Sequence, residues 1–186
     1  MRRYVLSHIP IALAYAAVIY LFRGLWQGLA LPTLLGWAGW VAGVIVGVLI
    51  LYLDRVVYTY SYPAEQLSQQ FMWYWKAKKY GTALALLDSR RLEQEKLTFR
   101  SALFMVVWVA LAFFALTSTS GLFGKGVVMG LMLHILSDAW RLQRTDPQRL
   151  HTRLFWQIKR EITMGEQLAF LYIISVVFTL FSFWVS

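Results

Sequence analysis

Residues 31–53 carry no charged side chain. About 20 predominantly apolar residues are what an α-helix needs to cross a bilayer. In hydrocarbon every backbone amide must be satisfied inside the spanning element, which leaves a helix as the structure for such a run. The pattern repeats along the chain: apolar runs predict further spans over 7–25, 101–117, 121–140 and 167–185, separated by segments rich in Lys and Arg. With 59% hydrophobic residues among 186 and a mean hydropathy of +0.56, the composition lies outside that of a soluble domain. The expectation is an all-α, polytopic membrane bundle of five transmembrane helices, one integral membrane domain over 1–186.

Charge sets the expected orientation. With the N-terminus in the cytoplasm and alternating crossings, all of the 18 Lys and Arg except Arg23 and Lys125 fall on the cytoplasmic side, as the positive-inside rule requires. The C-terminus is then outside, and the predicted location is a bacterial-type inner membrane. This explains the net charge of +9 as an insertion signal. Nucleic acid is not an expected partner; membrane lipids, anionic ones above all, are. Arg2 and Arg3 precede an apolar run as in a signal peptide, but no small-residue cleavage site follows, so the first span is expected to be retained. The absence of Cys excludes disulfides, thiol catalysis and Cys-ligated metal centres.

Two segments, 58–100 and 141–166, are too polar to span. In the first, Leu67, Phe71, Tyr74 and Trp75 share a helical face that ends in Lys76, Lys78 and Lys79. In the second, Asp146-Pro147 supplies an N-cap and a first-turn proline, and Leu150, Leu154, Ile158 and Ile162 recur every four residues. Both patterns predict amphipathic helices, over 63–79 and 147–165, either lying in the cytoplasmic headgroup layer or docked on protein.

Ionisable residues inside the apolar runs mark where chemistry would sit. Gly126, Gly130, His134 and Asp138 are spaced four apart and so share one helical stripe. The glycines admit a second helix at close range, and Gly39, Gly43 and Gly47 form a matching face, with Asp54 two turns further on. Two readings of the stripe stand: a functional site, or a polar pair that holds two helices together. For Asp54 the alternatives are a site carboxylate and a partner for Arg55 or the headgroups. Given the orientation, His8, Asp54, His134, Asp138 and Glu166 share the cytoplasmic depth. If they converge, His8, Asp54, His134 and Asp138 suit a divalent ion such as zinc or manganese, with Glu166 as a general base. His151 falls on the surface helix and is expected to be solvated.

The chain resembles the YdjM-like family of inner-membrane metal-dependent hydrolases in three places. Ser-His-Ile-Pro-Ile-Ala, with His8, is similar to the family's early His; Leu-Tyr-Leu-Asp-Arg, with Asp54, to its Pro-Asp-x-Asp-His segment; and the Gly130 to Asp138 stretch to its Gly-x-x-x-His-x-x-x-Asp helix. The match departs from the family at Tyr52, where the family has Asp, and at Arg55, where it has His. Near 97–101 only Arg100-Ser101 resembles the end of the family's His-Arg-Gly-x-Thr-His-Ser stretch. The resemblance implies a metal-dependent hydrolase acting on a lipid-linked or phosphorylated amphiphile, with Arg55 and Arg100 on its anionic headgroup. The missing His residues imply the alternative, a non-enzymatic scaffold or lipid- or metal-binding protein on the same fold. A small transporter or channel is a third possibility, against which the candidate residues cluster at one face.

Overall fold

The computed structural model describes residues 2–27, 31–91, 93–118 and 121–185, with side chains at 9–22 and from 36 onward within those ranges. Eight helices occur among the described residues: α1 (Arg2–Gln27), α2 (Leu31–Ser61), α3 (Gln66–Lys76), α4 (Tyr80–Ser89), α5 (Ala102–Thr117), α6 (Leu122–Thr145), α7 (Pro147–Phe155) and α8 (Met164–Val185). Three stretches are long and apolar enough to cross a membrane, Gly36–Ser61, Leu122–Thr145 and Met164–Val185; Ile9–Phe22 and Ala102–Thr117 are apolar but shorter.

The contact between α2 and α6 is the most extensive in the fold, and glycine makes it possible. A Cβ at Gly43 or Gly47 would overlap the Phe123 or Val127 carbonyl of α6; one at Gly126 or Gly130 would meet the Trp40 or Val44 carbonyl of α2. The two glycine faces therefore interlock backbone to backbone. The contacts advance together, from Gly36 beside Leu122 to His134 beside Val48, so the two helices run parallel.

The remaining long helices run the other way. Tyr15 and Tyr20 of α1 meet Trp40 and Trp37 of α2 in reverse order. On α5, Trp108 donates to the Val128 carbonyl at 2.8 Å, while Arg100 before it reaches Asp138. On α8, Ser175 accepts from Trp140 at 2.9 Å and Gln167 donates to Gln143 at 2.6 Å. Thus α1, α5 and α8 point one way and α2 and α6 the other. The start of α1, α5 and α8 and the end of α2 and α6 gather at one end of the bundle, together with α3, α4 and α7.

At that end the helices differ from the expected boundaries. Helix α2 continues past 53 to Ser61, because Val56, Val57, Tyr58 and Tyr60 extend the apolar run until Pro63 disfavours helix at the residue before it. The stripe of α3 docks on protein: Leu67 and Phe71 join Tyr58, Ala83, Leu87 and Leu97 in a satellite core, while Trp73 faces outward. Helix α7 ends at Phe155 instead of running to 165. Leu150 and Leu154 are in the main core, but Ile158 is exposed. Beyond the helix the chain folds back, fixed where His151 Nε2 lies 2.8 Å from the Ile162 carbonyl, so His151 has a partner where solvation was expected.

Candidate functional site: an arginine-lined cavity

His134 is buried, at 1% exposure. Its Nδ1 lies 3.0 Å from the Val48 carbonyl; a carbonyl can only accept, so Nδ1 carries the hydrogen and Nε2 points onward. Nε2 lies 3.6 Å from Asp138 Oδ2, and Arg100 Nη2 lies 3.3 Å from the same oxygen. Tyr52 flanks the imidazole, with ring centroids 5.6 Å apart. A polar row from Val48 through His134 and Asp138 to Arg100 thus crosses from the α2–α6 seam to the start of α5. Arg100 is placed by the residue that follows it. Ser101 is the N-cap of α5, and its hydroxyl accepts from the Phe104 amide at 3.2 Å.

The neighbouring pair divides. Asp54 is fully buried, and its Oδ1 accepts from the Phe99 amide at 3.1 Å. Arg55 turns to α4, where Nη1 donates to Asp88 Oδ1 at 2.9 Å. Both residues anchor the segment that closes the end of the bundle: Asp54 holds the linker before α5, and Arg55 holds α4. Glu166 serves α8. Its carboxylate accepts from the Thr163 amide at 2.8 Å, Thr163 Oγ1 accepts from the Glu166 amide at 3.2 Å, and Arg160 pairs with the same carboxylate. Thr-Met-Gly-Glu is a capping box, a signal visible in the sequence as Thr followed three residues later by Glu. His8 lies in α1 at the same end of the bundle, but its side chain falls outside the described residues.

Against the row opens a cavity of ≈ 330 Å³, lined by Arg55, Arg91, Arg100, Arg141, Arg149 and Arg153 with Asp138 as the sole carboxylate among the lining residues. Its size falls in the range of small-molecule sites, roughly 300–1,000 Å³. Arg100 is 7% exposed, and its Nε is buried with no hydrogen-bond partner. Arg91, Arg141, Arg149 and Arg153 were absorbed in the sequence by the topology signal. What brings them together is Asp146-Pro147, which ends α6 and reverses the chain so that α7 returns Arg149 and Arg153, one turn apart, towards Arg141. Asp146 Oδ1 accepting from the Arg149 amide at 3.0 Å fixes that corner.

Among the described residues the donor set for a metal is incomplete. Among the described residues no group of three or more His, Cys, Asp or Glu lies close enough to hold an ion. His134 and Asp138 offer two donors, Arg100 lies against the same Asp138 oxygen as His134, and Asp54 gives its Oδ1 to the Phe99 amide. Zinc sites use three or four protein ligands, so the described donors alone do not fit zinc or manganese.

Fold and cavity together define a helical bundle, with three helices of membrane-crossing length, that carries a strongly cationic pocket at one end. No protein-family model, curated protein or solved structure matches the chain, so the likeness to the YdjM-like family rests on the motif residues alone.

Proposed function

We propose that the chain is a five-span membrane protein that binds the phosphate-bearing headgroup of an amphiphile at the cytoplasmic face of a bacterial-type inner membrane. The observation that carries this is the ring of six arginines with one carboxylate around a single cavity. Guanidinium forks match phosphate oxygens two at a time. The alternating direction of α1, α2, α5, α6 and α8 supports five crossings, with the shorter α1 and α5 completing the set. The Lys and Arg asymmetry supports placing the cavity end in the cytoplasm.

The test is calorimetric binding of inorganic diphosphate to the purified chain in neutral detergent. Losing a charge-assisted hydrogen bond costs about 1.5–3 kcal/mol, and about 1.4 kcal/mol is tenfold in affinity. Arg141→Gln with Arg149→Gln is therefore expected to weaken binding at least tenfold, with affinity falling as salt rises. Equal affinity in the variant and the unaltered chain would remove the reading.

A second reading, metal-dependent hydrolysis of such an amphiphile, is favoured by one observation, the His134–Asp138 pair, of which Asp138 lines the cavity. It requires a further donor, for which His8 is the imidazole available at that end. It also leaves the base unassigned, since Glu166 holds the α8 terminus. Turnover of a phosphorylated amphiphile, together with bound zinc or manganese lost in both His134→Ala and His8→Ala, would select it.

A further inference from the structure

A second cavity, of ≈ 450 Å³, opens between α5, the segment after α7 and α8, with Leu103, Val106, Phe155, Ile158, Ile162 and Phe170 on its walls. Its polar lining residues are Gln157 and the pair Arg160 and Glu166, which bond each other. The two cavities flank the same two stretches of chain. Just before α5 Arg100 lines the first, and at its start Ala102 lines the second, with Ser101 between; on α7, Arg153 lines the first and Phe155 the second, with Leu154 between. Residues two apart lie within about 7 Å of each other, Cα to Cα. A narrow gap of ≈ 20 Å³ touching Arg100, Asp138, Met105 and Leu154 adjoins the first cavity.

Resting on the headgroup reading above, we infer that the apolar cavity is the subsite for the hydrocarbon chain of the same ligand, which makes the ligand an alkyl or prenyl phosphate and not a soluble one. A hydrocarbon chain brings no hydrogen-bonding groups and is matched by walls whose charged pair is already satisfied. A peptide occupant would bury backbone amides and carbonyls without partners. The cavity also continues an apolar flank, since Leu103 and Val106 on its wall are half-exposed and Val107 follows them outward, so a chain can enter sideways from lipid. Phosphate on the arginines and tail between α5 and α8 would place the bond joining them near Arg100 and Ala102.

The experiment uses the full chain in phosphatidylcholine nanodiscs and dodecyl phosphate carrying a mid-chain diazirine, with cross-links located by mass spectrometry. Cross-links are expected within 102–106, 155–162 and at Phe170. They should fall at least tenfold when the cavity is filled by Leu103→Trp with Val106→Trp. Ile158→Trp fills it from the opposite wall, so a folding defect in one variant does not decide the matter. Labelling spread over the outward faces of α1, α5 and α8 and unchanged by either filling, or no labelling, overturns the tail subsite. Excess inorganic diphosphate separates the two proposals. If it suppresses cavity labelling, both stand; if labelling persists and diphosphate itself shows no binding, the headgroup reading fails while the tail subsite survives.

Discussion

Arg100 and Asp138 are each mostly buried, with side-chain exposures of 8% and 14%, and pair at 3.3 Å. Removing one partner of such a pair strands the other, which costs roughly 3–5 kcal/mol, whereas replacing both with apolar groups is often nearly neutral. Asp138→Asn is therefore expected to destabilise the chain by about 3 kcal/mol, the low end of that range, because the cavity lets water reach the guanidinium. Asp138→Leu combined with Arg100→Met should recover most of that loss. Thermal unfolding in detergent measures both; a double variant no more stable than Asp138→Asn would mean that the row contributes through shape and not through charge. His134 and Asp138 were legible in the sequence, because an imidazole and a carboxylate are costly inside an apolar run and stand out there. Arg100 and Arg55 were legible only through what the resemblance implies. Arg91, Arg149 and Arg153 were not, because their convergence depends on how the chain reverses at Asp146-Pro147, and spacing along a sequence carries no record of that lateral return.

Helix periodicity alone specified the glycine faces of α2 and α6, and their meeting follows from it, since two faces stripped of side chains are the ones that approach most closely. Gly130 tests this. Alanine would gain about 1 kcal/mol of helix propensity, yet its Cβ would overlap the Val44 backbone, and overpacking of this kind costs typically 1–3 kcal/mol. Gly130→Ala is expected to lower stability despite the propensity gain. Gly81, in α4, has nothing within 4 Å of its would-be Cβ, so Gly81→Ala should be neutral or stabilising by up to about 1 kcal/mol. If both substitutions stabilise, the seam is looser than the interlocked backbones imply. The end of α7 was not legible: the four-residue recurrence of Leu150, Leu154, Ile158 and Ile162 continues across a real helix end. What overrides it is the capping box that starts α8 at Met164. Glu166→Ala should lower stability and Glu166→Gln less, because Gln also completes such a box. A general base, by contrast, would be lost equally in both.

At the scale of the whole molecule, hydropathy supplies the number of apolar runs and the Lys and Arg distribution supplies their expected orientation, but neither says which helices touch. The structure adds that order. Helix α6 touches α1, α2, α5, α7 and α8, and the polar row sits where its end meets the start of α5. Helix direction then makes a sharper test of the five-span proposal than span counting does, because it ties each connection to one end of the bundle. The turn between α5 and α6 lies at the end opposite the cavity, and the turn after α3 lies at the cavity end. The chain has no Cys, so one introduced thiol is the sole target for a maleimide. Lys76→Cys, at the exposed end of α3, should label only from the cytoplasm, and Gly121→Cys, exposed at the start of α6, only from outside. Reversed labelling would turn the bundle over and move the arginine cavity to the outer face, contradicting the charge rule. Labelling of both thiols from one side would show that α5 does not cross, reducing the spans and leaving the apolar cavity between α5 and α8 without lipid access.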